Sequence, residues 1–241
     1  NGQLGDGGTN TDTNAPSSTA IDLGTGRTAV AVSSGTYHTC AVLDNGDVKC
    51  WGRDDHGQLG NGGTNTATNA PSSTAIDLGT GRTAVAVHAG WSHTCAILDN
   101  GDMKCWGRDN YGQLGNGAFV TDTNAPSSTP IDLGTGRTAV AASVGQHHTC
   151  AILDNGDMKC WGHNNQGQLG DGGSNTNANA PSSTAIDLGT GRTAVAITGG
   201  LSHTCAILDN GDVKCWGRDN QGQLGDGCLL YTSPSPRDTP Q

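Results

Sequence analysis

Three kinds of side chain with chemical potential recur in this sequence at a single spacing. His38, His93, His148 and His203 each stand two residues before a cysteine, at Cys40, Cys95, Cys150 and Cys205. A second cysteine follows at Cys50, Cys105, Cys160 and Cys215, and an Asp-Asn-Gly-Asp string such as Asp44 to Asp47 lies between the two. A His with two thiolates can ligate zinc, two neighbouring carboxylates can act as acid and base, and two thiols can form a disulfide. Zinc is the weaker reading, since the spacing supplies three ligands around one hairpin and lacks the Cys-x-x-Cys knuckles of structural sites. Asp44 and Asp47 are ordinary turn formers. A His that recurs in every unit serves the unit, as a hydrogen bond between strands. Asn10, Asp12 and Asn14 alternate oxygen ligands in the manner of a calcium loop, but the position of Asp12 is Ala67 and Asn177 in other units and the chain contains no Glu. No Ser, His and Asp set or Gly-x-Ser-x-Gly elbow is recognisable, so no catalytic residue, metal site or cofactor is expected.

The elements that must position these groups follow from the period. Trp51, Trp106, Trp161 and Trp216 are evenly spaced, and the same step links the Gly-Gln-Leu-Gly strings that begin at Gly2, Gly57, Gly112, Gly167 and Gly222. Each unit breaks at Gly, Asn and Asp into four short β-prone runs, which in the first are 19–23, 28–32, 38–43 and 47–51. Four short strands per tandem unit predict an all-β propeller of four-stranded antiparallel blades. The blades fall at about 18–52, 73–107, 128–162 and 183–217, within one repeat region over 1–227. The three-residue loop Asp44-Asn45-Gly46, with Gly at the left-handed position, sets Leu43 against Asp47. Counting outward puts Val42 opposite Val48, Ala41 opposite Lys49 and Cys40 opposite Cys50. Such a pair at a non-hydrogen-bonded site lies about 4.5 Å apart at Cα, within reach of a disulfide.

The string 38–52, His-Thr-Cys-Ala-Val-Leu-Asp-Asn-Gly-Asp-Val-Lys-Cys-Trp-Gly, followed by Gly57-Gln58-Leu59-Gly60, resembles the regulator of chromosome condensation repeat. The resemblance spans residues 2 to 227 in four copies that agree in order and spacing. It implies a propeller usually of seven blades, so four blades are read as an open arc whose missing blades belong to the same polypeptide, with end blades that expose apolar side chains. Asn1 is read as a start inside a longer protein. Residues 228–241, with Cys228-Leu-Leu-Tyr-Thr-Ser-Pro-Ser-Pro-Arg-Asp238, read as a translated sequencing-library adapter and are set aside.

Charge and cysteine usage narrow the functions. The formal net charge is −10, every acidic residue is Asp and Lys plus Arg total only 12, which leaves no basic stripe for nucleic acid. No apolar run approaches the roughly 20 residues of a membrane-spanning helix, so no membrane insertion is expected. Four cysteine pairs point to an oxidising compartment, extracellular or at the cell surface. The loops at one end of the blades are constant, whereas those at the other end differ. Ser33, Ser34, Thr36 and Tyr37 become His88, Ala89, Trp91 and Ser92, then Ser143, Val144, Gln146 and His147, then Thr198, Gly199, Leu201 and Ser202. One connection position is His56, Tyr111, Gln166 and Gln221, and Ala118-Phe119-Val120 replaces Gly63-Thr64-Asn65. A protein-binding face is therefore expected at Tyr37, His88, Trp91, Tyr111, Phe119, Val120, Gln146, His147 and Leu201, with the rigid aromatics as anchors. A non-catalytic binding scaffold for a protein partner is the leading function. The resemblance also allows guanine-nucleotide exchange on a small GTPase, or inhibition of an enzyme by a secreted bacterial propeller, and a purely structural array is a third class.

Overall fold

The computed structural model describes residues 2–8, 12–119, 122–173 and 176–227. Among the described residues, twelve strands form four antiparallel three-stranded sheets, each in sequence order. The first holds β1 (Ala29–Ser34), β2 (His38–Leu43) and β3 (Val48–Gly52). The second holds β4 (Ala84–Ala89), β5 (His93–Leu98) and β6 (Met103–Gly107), and the third β7 (Ala139–Val144), β8 (His148–Leu153) and β9 (Met158–Gly162). The fourth holds β10 (Ala194–Gly199), β11 (His203–Leu208) and β12 (Val213–Gly217). None of the described residues forms a helix long and apolar enough to cross a membrane.

The hairpin between the second and third strands of each sheet follows its turn chemistry. Gly46 adopts φ 79°, Leu43 donates its N–H to the Asp47 carbonyl at 2.8 Å, and Gly46 donates to Leu43 at 2.8 Å. Val42 then pairs with Val48, Ala41 with Lys49 and Cys40 with Cys50, the expected register. The facing cysteines are bonded in all four blades, Cys40–Cys50, Cys95–Cys105, Cys150–Cys160 and Cys205–Cys215, with Cα atoms 4.0 to 4.1 Å apart.

The expected fourth strand is absent from the described residues, and the blades are three-stranded. The run expected to open each blade does not pair with the strand that follows it. In the second unit Ile76 donates its N–H to the Val48 carbonyl of the preceding blade at 2.9 Å, and the Leu78 carbonyl accepts from Lys104 Nζ of its own blade at 3.0 Å. Ile76 and Leu78 are buried among Val42, Val48, Val87 and Trp106, so the run is a wedge between blades. Asp77 stops it from extending, because its carboxylate accepts the Gly79 N–H at 2.8 Å and closes a turn. A single bridge, Gly52 with Thr68, is the remaining edge pairing, and it recurs as Gly107 with Thr123 and Gly162 with Ala178.

The blades are locked together by groups that the repeat supplies to its neighbour. His38 Nε2 meets Thr94 Oγ1 of the next blade at 2.8 Å, and His93 and His148 meet Thr149 and Thr204 at 3.0 Å. Thr94 donates its only proton to the Gln58 carbonyl at 2.8 Å, so the imidazole must be the donor in that bond. The same carbonyl accepts from Trp106 Nε1 at 3.0 Å. Gly60 lies against that indole, where a Cβ would come within 2.5 Å of Nε1. The Gly-Gln-Leu-Gly string therefore leaves one blade and caps the tryptophan of the next.

Candidate protein-binding face

The ends of the blades divide as the loop sequences do. At the constant end each hairpin Asp is already engaged. Asp44, Asp99, Asp154 and Asp209 pair with Arg27, Arg82, Arg137 and Arg192 at 3.3 to 3.6 Å and accept the Thr28, Thr83, Thr138 and Thr193 N–H groups at 3.2 Å.

At the variable end the turns between the first and second strands of the sheets converge. Backbone meets backbone there, since a Cβ on Gly35 would lie 2.1 Å from the Gly90 carbonyl oxygen, and one on Gly90 2.7 Å from that of Gly145. The four turns line a shared cavity of about 320 Å³ that includes Thr36, Trp91, Gln146 and Leu201. Beside it the side chains form a continuous ladder of rings. Tyr37 and Trp91 have centroids 6.3 Å apart, and Trp91 stacks on His147 at 4.8 Å. His147 meets Tyr111 at 5.0 Å, and Tyr111 meets His163 at 4.2 Å. The Arg53 guanidinium, paired with Asp55, lies 4.9 Å over the Tyr37 ring and extends the ladder with a cation.

The five rings are half-buried. Burial, reinforced by Arg108 and His163, pulls the His147 pKa down to about 4, and burial also lowers that of His163. Both imidazoles are neutral at pH 7, so the ladder beyond the Arg53 guanidinium is an uncharged, polarizable surface.

The remaining expected residues fall elsewhere. Gln146 and Leu201 line the cavity. His88 turns inward, where burial lowers its pKa and Nε2 has no partner among the described residues. Phe119 is exposed on its connection, and no ring contact joins it to the ladder among the described residues. Val120 and Asn10 lie outside the described residues. His163 and Arg53 belong to the surface although the loop comparison does not select them. Their signal was the position after Trp-Gly, which reads Arg53, Arg108, His163 and Arg218.

Two profiles described as the regulator of chromosome condensation (RCC1) repeat match the chain, one at 29–58, 84–113, 139–168 and 194–223, the other at 45–97, 100–152 and 155–207. The chain belongs to the RCC1 repeat family. Among curated RCC1 relatives, it is 32% identical to the ultraviolet-B receptor of Arabidopsis thaliana over 94% of this chain and 49% of the receptor. It is 30% identical to the human E3 ubiquitin-protein ligase HERC2 over 82% of this chain and 4% of the ligase. The chain thus spans about half the length of the receptor and a small part of the ligase. Human WBSCR16 superposes with a TM-score of 0.72 at 25% identity, covering 83% of this chain and 50% of that one. Yeast RCC1 (Prp20), solved bound to Kap60, superposes with a TM-score of 0.68 at 18% identity over 82% and 45% of the two chains, a likeness of fold. RCC1 propeller architecture is thereby established for the four blades.

Proposed function

We propose that this chain is a non-catalytic scaffold that docks a protein partner on the variable end of its blades. The observation that carries this reading is the ring ladder from Tyr37 through Trp91, His147 and Tyr111 to His163. Four blades nearly identical in sequence place Tyr37, Trp91 and Tyr111 side by side with His147 and His163, half-buried and pre-ordered by one another. Rigid rings with little rotamer entropy to lose, bordered by arginines, are the composition of interface hot spots. Yeast RCC1, which shares the fold, has been described in terms of its binding to Gsp1p and histones, which supports protein binding as the general mode. The four hairpin disulfides support work in an oxidising compartment, outside the cell or at its surface.

The test is an affinity measurement with a natural partner isolated by capture on the immobilised chain. Trp91→Ala removes the central ring and is expected to weaken binding by about 2 kcal/mol or more, while Asp44→Ala and Asp99→Ala at the constant end leave affinity unchanged. Intact binding by Trp91→Ala with loss in the two Asp variants would place the partner on the opposite end. Catalysis of nucleotide release from a small GTPase would assign the chain to exchange instead.

A further inference from the structure

Most cations of this acidic chain are held by the framework. Lys49, Lys104, Lys159 and Lys214 each donate to a main-chain carbonyl, and Arg27, Arg82, Arg137 and Arg192 pair with the hairpin aspartates of the constant end. The other described lysines and arginines are Arg53, Arg108 and Arg218, all at the position after Trp-Gly on the variable end.

Five residues beyond that position each blade carries a glutamine, Gln58, Gln113, Gln168 or Gln223. Its amide oxygen is fixed, since it accepts the N–H of His56, Tyr111, Gln166 or Gln221 at 2.7 to 2.9 Å, so Nε2 must find an acceptor of its own. In the third blade Gln168 Nε2 donates to His163 Nδ1 at 3.4 Å. In the fourth, Gln223 Nε2 and Arg218 Nε converge on one acceptor, Asn220 Oδ1, at 3.3 and 2.9 Å. Glutamine and arginine of the repeat therefore aim at a common point. In the first blade Gln58 Nε2 has no partner, but a carboxylate already neutralises the cation, Arg53 Nε donating to Asp55 at 2.7 Å.

The second blade has neither solution. Asn110, with its amide oxygen turned to the guanidinium, accepts from Arg108 at 2.9 Å, yet it brings no charge. Gln113 is 0% exposed, and its Nε2 has no partner among the described residues. A buried donor left in this state costs about 1 to 3 kcal/mol. The carboxylates of the same connections are engaged elsewhere, Asp55 by Arg53, and Asp122 by His56 and the Asp109 N–H. The spot also borders the ring ladder, because Arg108 acts on His147, whose ring lies against Trp91 and Tyr111.

Granted docking on the ladder, on which this reading rests, we infer that Arg108 and Gln113 form a carboxylate subsite of that face. The occupant is a protein segment that places an Asp or Glu side chain there and an apolar or aromatic residue on the rings. A carboxylate has acceptor capacity for both donors, one oxygen for the guanidinium and the other for the buried amide, and it supplies the missing charge. Asp55 on Arg53 shows the chain's own carboxylate doing half of this one blade earlier.

Titration of the full chain with 3-phenylpropionate and with its uncharged amide, followed by nuclear magnetic resonance of the side-chain amides and indoles, tests this. The wild type is expected to bind the acid about tenfold more tightly than the amide, with the Gln113 amide resonances shifting only for the acid. Asn110→Asp gives Arg108 the internal carboxylate that Arg53 has, and should bring the acid down to the level of the amide, as should Arg108→Met. Asn220→Asp, which adds the same charge in the last blade, leaves the preference intact. Trp91→Ala weakens both probes alike and preserves their ratio. Equal wild-type affinities that still depend on Trp91 would overturn the subsite and leave the ladder standing. A preference that survives both Arg108→Met and Asn110→Asp, or no binding of either probe, would also overturn it. Acid binding that is lost in Asn110→Asp but indifferent to Trp91→Ala would instead remove the ladder, and with it the reading on which the subsite rests.

Discussion

Acid should loosen this protein through the histidines that latch its blades. His38 and His148 are buried with Nε2 donating to a threonine of the next blade, and Nδ1 has no hydrogen-bond partner among the described residues. Charging either ring would place a second proton on that unpartnered, buried nitrogen. Burial accordingly holds both pKa values at about 4, below the ordinary 6.5, and also lowers that of His93 well below it. The folded-state pKa lies below the unfolded one, so the contribution to stability is complete above pH 6.5 and is lost as pH falls from 6.5 towards 4. Between pH 7 and pH 5 a shift of this size costs about 2 kcal/mol per imidazole, so His38 and His148 together cost roughly 4 kcal/mol, and His93 acts in the same direction. Asp109 opposes them, because burial raises its pKa from 3.8 to about 6 and its protonation below that favours the folded state. One carboxyl cannot offset three imidazoles. Urea unfolding followed by tryptophan fluorescence should therefore show a midpoint that falls steeply from pH 7 to pH 5. In the triple variant His38→Gln, His93→Gln, His148→Gln the midpoint is lower at pH 7 and nearly flat with pH. A flat wild-type profile, or an unchanged slope in the triple variant, would refute the latch argument.

Other outcomes follow from single contacts. Replacing Cys95 and Cys105 together by Ser should destabilise the second blade by roughly 2.5 to 3 kcal/mol on the chain-entropy account, read by urea unfolding of oxidised protein. Gly60→Ala adds a methyl against the Trp106 indole at a left-handed residue, φ 69°, and is expected to cost about 2 to 4 kcal/mol. Gly62→Ala, with φ 84° but open space around it, should cost only about 1 kcal/mol, both glycine variants being read by urea unfolding. Asp109→Asn should stabilise the chain at pH 7.5 by on the order of 1 kcal/mol, because Asn164 already holds the equivalent place by accepting the Leu169 N–H at 3.1 Å. A lower melting temperature would show that the buried charge of Asp109 is needed.

What the sequence determined by itself is everything that depends on neighbours a few residues apart. Asp44-Asn45-Gly46 fixes the hairpin because Gly46 can take a positive φ, and that turn dictates which residues face each other, down to the Cys40–Cys50 bridge. The invariance of one set of loops and the variation of the other singled out Tyr37, Trp91, Tyr111 and His147 as candidates from residue types alone. Tertiary structure decided whatever passes between units. A period says that Ile76 and Leu78 recur, but not that they leave their own sheet to wedge against the blade before, a choice made by the Val48 carbonyl and the Asp77 turn. It likewise could not reveal that Arg53 reaches over Tyr37, that His163 closes the ladder on Tyr111, or that His88 points inward while Phe119 stands apart. Turn and strand chemistry act through bonds along the chain. The ladder and the blade interfaces are set by packing across it, where residues about one repeat apart in sequence become nearest neighbours.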